Sequence, residues 1–143
     1  EVKIDELYFL ATHGGVTFGG GEPALQSNFI SEFRRLCGTG WKITIETSLN
    51  VPQENIERLL PMVDCYIVDI KDMNNDRYET YTGKSNTRVI ENLRWLVIQG
   101  KAKQITVRVP HIPSYNTETD IENSIHQLKE IGLSDFDRFT YRT

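Results

Sequence analysis

Residues 14–23 read Gly-Gly-Val-Thr-Phe-Gly-Gly-Gly-Glu-Pro. A short β-branched and aromatic run leads into three glycines, which predicts a strand followed by a tight turn. Because glycine has no side chain, the main-chain N–H and C=O groups of this turn can approach a ligand closely. Pro23 predicts a helix start, since proline at the first helical position loses no hydrogen bond. The stretch therefore predicts a strand–turn–helix junction that either holds a small polar ligand or only reverses the chain.

Strand and helix patterns alternate along the rest of the sequence. Each helix pattern places apolar residues on one face, and each strand pattern is rich in β-branched residues. Such alternation predicts an α/β fold with a parallel sheet and right-handed crossovers. Five strands are too few for a closed eight-stranded barrel, which leaves an open partial barrel or a doubly wound sheet. The predicted strands are 15–19, 42–47, 64–70, 104–109 and 136–141; the predicted helices are 23–37, one opened by Pro52, 86–99, and one from a Thr119/Glu122 capping box to Ile131, with 74–81 either a short helix or irregular.

Ionisable side chains follow every predicted strand at its carboxyl end. Ligands of parallel α/β sheets bind beyond these ends, so the side chains are candidates for one site. Charges of both signs side by side suit a zwitterionic ligand. Structural explanations also exist, because an Asp69–Lys71 ion pair on the rim is worth at most about 1 kcal/mol and Glu22 would complement a helix dipole. The candidates are Glu22, Glu46, Thr47, Ser48, Asp69, Lys71, Arg108 and Arg142.

The composition limits the partners of the protein. The net charge is −4 and no run of Lys and Arg is present, which argues against a nucleic acid held by charge. No apolar stretch reaches the ~18 residues of a membrane span, and no signal-peptide pattern opens the chain. Two isolated cysteines, Cys37 and Cys65, fit a reducing compartment. We therefore expect a cytoplasmic protein with neither nucleic acid nor membrane as a partner.

Four stretches carry a family resemblance: residues 14–26, 68–73, 81–84 and 108–116, which read GGVTFGGGEPALQ, VDIKDM, YTGK and RVPHIPSYN. In this order they resemble the radical S-adenosylmethionine (SAM) enzymes. Within these, the chain is most similar to the activating enzymes of glycyl-radical enzymes, of the pyruvate formate-lyase activating type. The resemblance extends over nearly the whole chain.

This resemblance implies a parallel-stranded partial (β/α)₆ TIM-like barrel, truncated here to about strands two to six. It implies that the Gly-Gly-Glu motif contacts the methionyl amino group of S-adenosylmethionine and that the Asp-x-Lys pair faces the methionyl carboxylate region. A monovalent cation is expected near Glu46, Thr47 and Asp69. The residues implied for the cofactor site are Gly20, Gly21, Glu22, Glu46, Ser48, Asp69, Lys71, Arg108, Pro110 and Arg142.

The resemblance also implies a [4Fe–4S] cluster, held by the three thiolates of a Cys-x-x-x-Cys-x-x-Cys motif. That motif is absent from this sequence, and no other set of Cys, His and carboxylates has metal-ligand spacing. We therefore expect residues 1–143 to be a single partial-barrel domain, a fragment without the cluster-binding segment that is inactive by itself.

For the intact enzyme, the resemblance implies an oxidoreductase that cleaves S-adenosylmethionine reductively and takes a hydrogen atom from a glycine of a partner such as pyruvate formate-lyase. A flavodoxin- or ferredoxin-type donor would supply the electron. Three alternatives stay open. One is another radical SAM reaction, such as sulfatase maturation or small-molecule modification. A second is an iron-free (β/α) barrel lyase or aldolase with Lys71 as Schiff-base amine. The third is a non-catalytic binding domain.

Overall fold

A computed structural model of the chain describes residues 7–12 and 14–141. In this part of the chain six strands form one open sheet in sequence order. Strands β2 to β6 run parallel to one another, whereas β1 pairs with β2 antiparallel. The expected α/β fold class is thereby confirmed. The strands are β1 (Leu7–Thr12), β2 (Gly15–Gly20), β3 (Lys42–Thr47), β4 (Cys65–Asp69), β5 (Ile105–His111) and β6 (Phe136–Thr140).

Helices connect the parallel strands. Three short 3-10 turns lie at Pro23–Gln26, Gly38–Gly40 and Ala102–Gln104. Within the described residues, no helix is long and apolar enough to cross a membrane. The helices are α1 (Ser27–Cys37), α2 (Gln53–Leu59), α3 (Asn75–Thr82), α4 (Thr87–Ile98) and α5 (Glu118–Ile131).

The sheet has one buried face and one half-exposed face. Strand residues alternate in burial because successive side chains of a strand point to opposite faces. The buried set packs with apolar helix residues into one core, and it includes Ile43, Ile45, Tyr66, Val68, Val107 and Val109 from the strands and Ile30, Ile56, Leu93 and Leu128 from the helices. The alternate residues on β3 to β5, among them Glu46, Asp69 and Arg108, are only half-buried. The face away from the core is therefore the one that carries the charged strand ends.

Strand β1 was not predicted, and it changes the edge of the sheet. The sequence pattern placed β2 at an edge, but Leu7–Thr12 pairs with β2 from Leu7↔Gly20 to Thr12↔Gly15. An antiparallel neighbour needs only a tight turn, so two strands this close in sequence pair as a hairpin. Strand β1 thus forms the edge of the sheet next to the first predicted strand.

Two boundaries differ from the sequence prediction. The capping box of α5 is Thr117 with Asp120, not Thr119 with Glu122, because the Thr117 hydroxyl accepts the Asp120 N–H and the Asp120 carboxylate accepts the Thr117 N–H. Strand β5 also continues through Pro110, which pairs with Phe139 of β6. The pairing with β4 has already ended at Arg108, so the missing proline N–H leaves no bond to β4 unmade.

Two further helix predictions are refined. The predicted helix 23–37 opens as the 3-10 turn Pro23–Gln26 and becomes α-helical only at Ser27. The reason is local, since the Glu22 carboxylate accepts the Ala24 N–H and tightens the first turn. The segment 74–81, left as a helix or an irregular excursion, is the helix Asn75–Thr82, capped by the Asn74 side chain.

Candidate functional site

A cavity of about 680 Å³ lies at the carboxyl ends of the parallel strands. This volume falls in the ~300–1,000 Å³ range of small-molecule sites. Pro110, one of the predicted site residues, does not line the cavity, and Arg142, another, lies outside the described residues. Eight predicted site residues do line it: Gly20, Gly21, Glu22, Glu46, Ser48, Asp69, Lys71 and Arg108.

Glu22 ties the end of β2 to the end of β3. One carboxylate oxygen accepts the Thr47 hydroxyl at 2.5 Å and the Ala24 N–H at 3.1 Å. The other accepts the Ser48 hydroxyl at 2.6 Å and the Ser48 N–H at 2.9 Å. Charge-assisted bonds of this kind are the strong ones in proteins. Because all four hydrogen bonds are internal, Glu22 shapes the wall of the cavity.

The loop after β3 is held in a strained conformation. Leu49 is buried and has a φ of 60°, a left-handed value that is uncommon for a non-glycine residue. The Leu49 N–H donates to the Thr47 hydroxyl oxygen at 2.9 Å, and the buried Asn92 amide donates to the carbonyls of Leu49 and Val51 at 2.8 and 3.0 Å. The surrounding hydrogen bonds thus fix the path of the loop that carries Ser48 into the cavity.

Asp69, Lys71 and Tyr141 form a compact polar cluster. One Asp69 oxygen, Oδ2, pairs with the Lys71 ammonium at 2.9 Å and accepts the Tyr141 hydroxyl at 3.0 Å. The Lys71 ammonium also contacts the Tyr141 hydroxyl and lies 4.8 Å from the centre of its ring. The other Asp69 oxygen, Oδ1, is buried and has no hydrogen-bond partner among the described residues. A buried acceptor of this kind is open to a donor beyond the described residues, such as a group of a ligand.

Tyr141 was not among the predicted site residues. It comes directly after β6, in the same position as the predicted charged residues after the other strands. Burial, followed by the charge of Asp69, raises the pKa of the Tyr141 hydroxyl. The phenol therefore stays a donor to Asp69 at ordinary pH. At the end of this strand the sequence pattern pointed to the neighbouring Arg142, because Arg142 is charged at neutral pH and Tyr141 is not.

Glu46 and Arg108 face each other across the floor of the cavity. Arg108 Nη1 lies 3.8 Å from Glu46 Oε2, and Arg108 Nε lies 3.5 Å from Asp137 Oδ2. The register places Arg108 beside Asp69 on the neighbouring strand. Acidic and basic side chains from β3, β4 and β5 thus lie side by side at the carboxyl ends of these strands.

Pro110 serves the loop after β5. It is buried, and its carbonyl accepts the side-chain amide of Asn116 at 3.0 Å. The same Asn116 side chain accepts the Ile112 N–H at 2.8 Å, which closes the loop on itself.

A buried carboxylate anchors the loop that carries Lys71. Asp72 accepts the Asn74 N–H at 2.8 Å and pairs with Arg77 at 2.9 Å, and Arg77 pairs in turn with Asp120 at 3.2 Å. Ser124 of α5 donates to Asp72 at 3.3 Å. The segment after β4 is therefore attached to α5, which explains why it holds one position beside the cavity.

Metal-ligand geometry is not found in the described residues. No group of three or more His, Cys, Asp and Glu side chains there could hold a metal ion. Cys37 and Cys65 are both free thiols of intermediate exposure. Residue 13, a histidine next to the glycine-rich stretch, lies outside the described residues.

The chain is similar to known proteins in its sequence. The family model described as Radical SAM superfamily matches residues 3–128. The (2S)-3-sulfopropanediol dehydratase activating enzyme of Klebsiella oxytoca is 35% identical over 135 residues, which are 92% of this chain and 42% of that protein. The isethionate sulfite-lyase activating enzyme of Desulfovibrio desulfuricans is 34% identical over 116 residues, 80% of this chain and 37% of that protein.

Among solved structures, a domain of pyruvate-formate lyase-activating enzyme from Bacteroides vulgatus superposes with a TM-score of 0.60. Its sequence identity is 20%, and the match covers 88% of this chain and 99% of that one, so the likeness concerns the fold.

A parallel sheet with a charged cavity at the carboxyl ends of its strands defines an α/β ligand-binding protein. The family model that matches residues 3–128 identifies the family within this class. The chain belongs to the radical SAM superfamily. The relatives are activating enzymes, which confirms the resemblance found in the sequence. The chain spans less than half the length of these relatives.

Proposed function

We propose that this chain forms the S-adenosylmethionine-binding part of a radical SAM activating enzyme that acts on a glycyl-radical partner enzyme. One observation carries the proposal: acidic and basic side chains from β3, β4 and β5 converge on one cavity beside the Gly20–Gly21 backbone. S-adenosylmethionine carries an ammonium, a carboxylate and a sulfonium, so its methionyl end needs both signs of charge.

The residues of the cavity fit that methionyl end. The unpartnered Oδ1 of Asp69 and the half-buried carboxylate of Glu46 are acceptors for an ammonium group. Gly20 has a φ of 96°, which leaves its main chain bare on the cavity wall. Lys71 and Arg108 supply positive charge for the carboxylate region. When bound, the cofactor supplies a carbon–sulfur bond that breaks on one-electron reduction.

In this proposal Glu22 and Ser48 act mainly by position. Glu22 has its four hydrogen bonds inside the chain, so it holds the glycine turn and Ser48 in place for the ligand. Pro110 contributes by closing the loop that follows β5. A direct contact from Arg142 and a monovalent cation near Glu46, Thr47 and Asp69 stay predictions.

The described residues do not fit an iron–sulfur cluster, since they supply only two thiols and three are needed. We propose that cluster ligands, an electron donor of flavodoxin or ferredoxin type, and the partner enzyme complete the activity of the whole protein in the cytoplasm. The domain over residues 1–143 is proposed to be the partial barrel of that enzyme.

The alternative of a Schiff-base aldolase is disfavoured by the geometry of Lys71. Its ammonium pairs with Asp69 and contacts the Tyr141 hydroxyl, whereas a nucleophilic lysine needs a desolvated, unpaired amine.

Isothermal titration calorimetry with S-adenosylmethionine tests the proposal. Wild-type protein is expected to bind, and Asp69→Asn is expected to bind roughly 10-fold to 100-fold more weakly, because a charged hydrogen bond is lost. Glu54→Gln, which removes a carboxylate exposed on α2, is the matched control and should bind as wild type. No binding by wild type, or equal affinity of Asp69→Asn and wild type, would refute the proposed site.

The activating role requires a separate readout in cells. Deleting the codons for residues 14–116 from the gene is expected to remove an organic-radical signal from the electron paramagnetic resonance spectrum of anaerobically grown cells. An unchanged signal in the deletion strain would argue against activation of a partner enzyme. It would not contradict the proposed binding of S-adenosylmethionine, which the calorimetry tests separately.

A further inference from the structure

The cavity extends beyond the strand ends to a second wall. This wall, here called the α3 wall, consists of Tyr78 and Thr82 of α3 and Lys84 of the turn that follows. The residues predicted from the sequence to bind a ligand all lie at or near strand ends. The α3 wall therefore adds polar groups to the cavity that have no assigned role.

Lys84 differs from the other two cations of the cavity. Lys71 pairs with Asp69 at 2.9 Å, and Arg108 lies between Glu46 and Asp137 at 3.8 and 3.5 Å. Among the described residues, no carboxylate lies within ion-pair distance of Lys84, although its side chain lines the cavity. Its positive charge is thus available to an anionic group of a ligand.

Tyr78 places a hydrogen-bond donor on the same wall. The residue is 3% exposed, and its hydroxyl oxygen accepts the Asn50 side-chain amide at 3.2 Å. The hydroxyl proton has no acceptor among the described residues. Burial, more than any neighbouring charge, raises the pKa of Tyr78, so the phenol remains a donor. A buried donor without an acceptor is the counterpart of a ligand oxygen.

Thr82 links the main chain of Tyr78 to that of Lys84. Its hydroxyl donates to the Tyr78 carbonyl at 2.7 Å and accepts the Lys84 N–H at 3.1 Å. Between them Gly83 ends α3 with a φ of 78°, which turns the chain back toward the cavity. A single turn consequently fixes the main chain of Tyr78 and of Lys84, and both residues line the cavity.

We propose that Tyr78 and Lys84 form a carboxylate-binding subsite of this cavity, separate from the strand-end charges. The inference rests on the proposed function for the identity of the cavity's main ligand. A carboxylate could reach the subsite from two sources. One is the methionyl group of S-adenosylmethionine, and the other is an acidic side chain of the proposed partner enzyme.

Two matched pairs of probes test the subsite by calorimetry and by NMR shifts of Tyr78. The first pair is S-adenosylmethionine and decarboxylated S-adenosylmethionine. The second is the blocked peptides acetyl-Gly-Asp-Gly-amide and acetyl-Gly-Asn-Gly-amide. The variants are Lys84→Met and Tyr78→Phe. Lys103→Met is the control, because Lys103 is an exposed lysine at the amino end of β5, whereas the cavity lies at the carboxyl ends of the strands.

Wild type and Lys103→Met are expected to prefer the carboxylate member of one pair. In Lys84→Met this preference should fall about three- to tenfold. The loss is expected to be this modest because Lys84 is exposed and solvent weakens its charge interactions. Loss of preference in the first pair assigns the methionyl carboxylate, and loss in the second assigns an acidic side chain. Equal preference in wild type and Lys84→Met for both pairs overturns the subsite. If wild type binds neither form of the cofactor but binds the aspartate peptide more tightly than the asparagine peptide, the proposed function is refuted and the carboxylate subsite is supported.

Discussion

Replacing Glu22 by glutamine tests whether this residue holds two strand ends together. The carboxylate accepts four hydrogen bonds, two on each oxygen, from Thr47, Ser48 and Ala24. Glutamine keeps one acceptor oxygen and replaces the other with an NH₂ group, so two of the four bonds are lost. Hydrogen bonds to charged groups contribute about 1.5–3 kcal/mol each. Because Glu22 is only half-buried, we take the lower value and expect a loss of about 3 kcal/mol in the free energy of unfolding.

The assay is urea unfolding followed by the fluorescence of Trp41 and Trp95, both of which pack against the core. A loss of this size corresponds to a melting temperature lower by roughly 6–12 °C for a domain of this length. Glu54→Gln is the control, because its exposed pair with Arg58 at 3.6 Å should be worth less than about 0.5 kcal/mol.

A double-mutant cycle with Thr47→Val separates the specific contact from general damage. The structure places the Thr47 hydroxyl 2.5 Å from Glu22, so we expect a coupling energy of about 1–2 kcal/mol. A coupling near zero, or a Glu22→Gln protein as stable as wild type, would show that the carboxylate does not join these strands. Glu22 would then be free to contact the ligand directly.

Three further substitutions probe buried polar groups by the same unfolding assay. Tyr66→Phe should stabilise the protein by about 1 kcal/mol, because the fully buried hydroxyl has no partner among the described residues. Burial, then the charge of Asp64, raises the pKa of Tyr66. The folded state therefore keeps a proton that the unfolded chain releases, and stability should fall as the pH rises above about 10. Tyr78 and Tyr141, whose pKa values are also raised by burial, add to this slope, so Tyr66→Phe should make the slope shallower. A slope as steep as that of wild type in Tyr66→Phe would contradict the prediction. Asp72→Asn should cost about 2 kcal/mol by weakening the pair with Arg77, which is a third exposed, and a loss below about 0.5 kcal/mol would show that the pair is dispensable. Asn92→Ala should cost about 2–3 kcal/mol, since two buried carbonyls lose their donor, and an unchanged unfolding midpoint would refute the role assigned to this amide.

Most of the fold could be predicted because local patterns repeat along the chain. The alternation on 42–47 and the helical spacing on 86–99 each reflect one buried face, and the structure has β3 and α4 there. Strand β1 escaped prediction because Leu7–Thr12 shows no alternation of apolar and polar residues, so only its pairing with β2 identifies it as a strand. The capping box of α5 was displaced by two residues because Thr117 and Thr119 both precede an acidic residue at the required spacing.

The candidate site was predicted only as far as the strand ends reach. Asp69 and Arg108 lie side by side because parallel strands bring their carboxyl ends to one edge. Nothing in the local sequence indicated that Tyr78 and Lys84 face the same cavity, since they lie on α3 and its following turn. The family motif at residues 81–84 included Lys84 but implied no contact for it.

The sequence by itself determined the class of the protein. The glycine-rich stretch at residues 14–23, together with charges at the end of each strand, defines a ligand-binding α/β sheet of the radical SAM superfamily. Only the tertiary structure decided which charges are free. Glu22 is occupied by Thr47, Ser48 and Ala24, whereas Asp69 keeps an open oxygen and Lys84 an unpaired ammonium. The physical reason is that a side chain's partners depend on which elements pack beside it, and that packing is not written in local spacing.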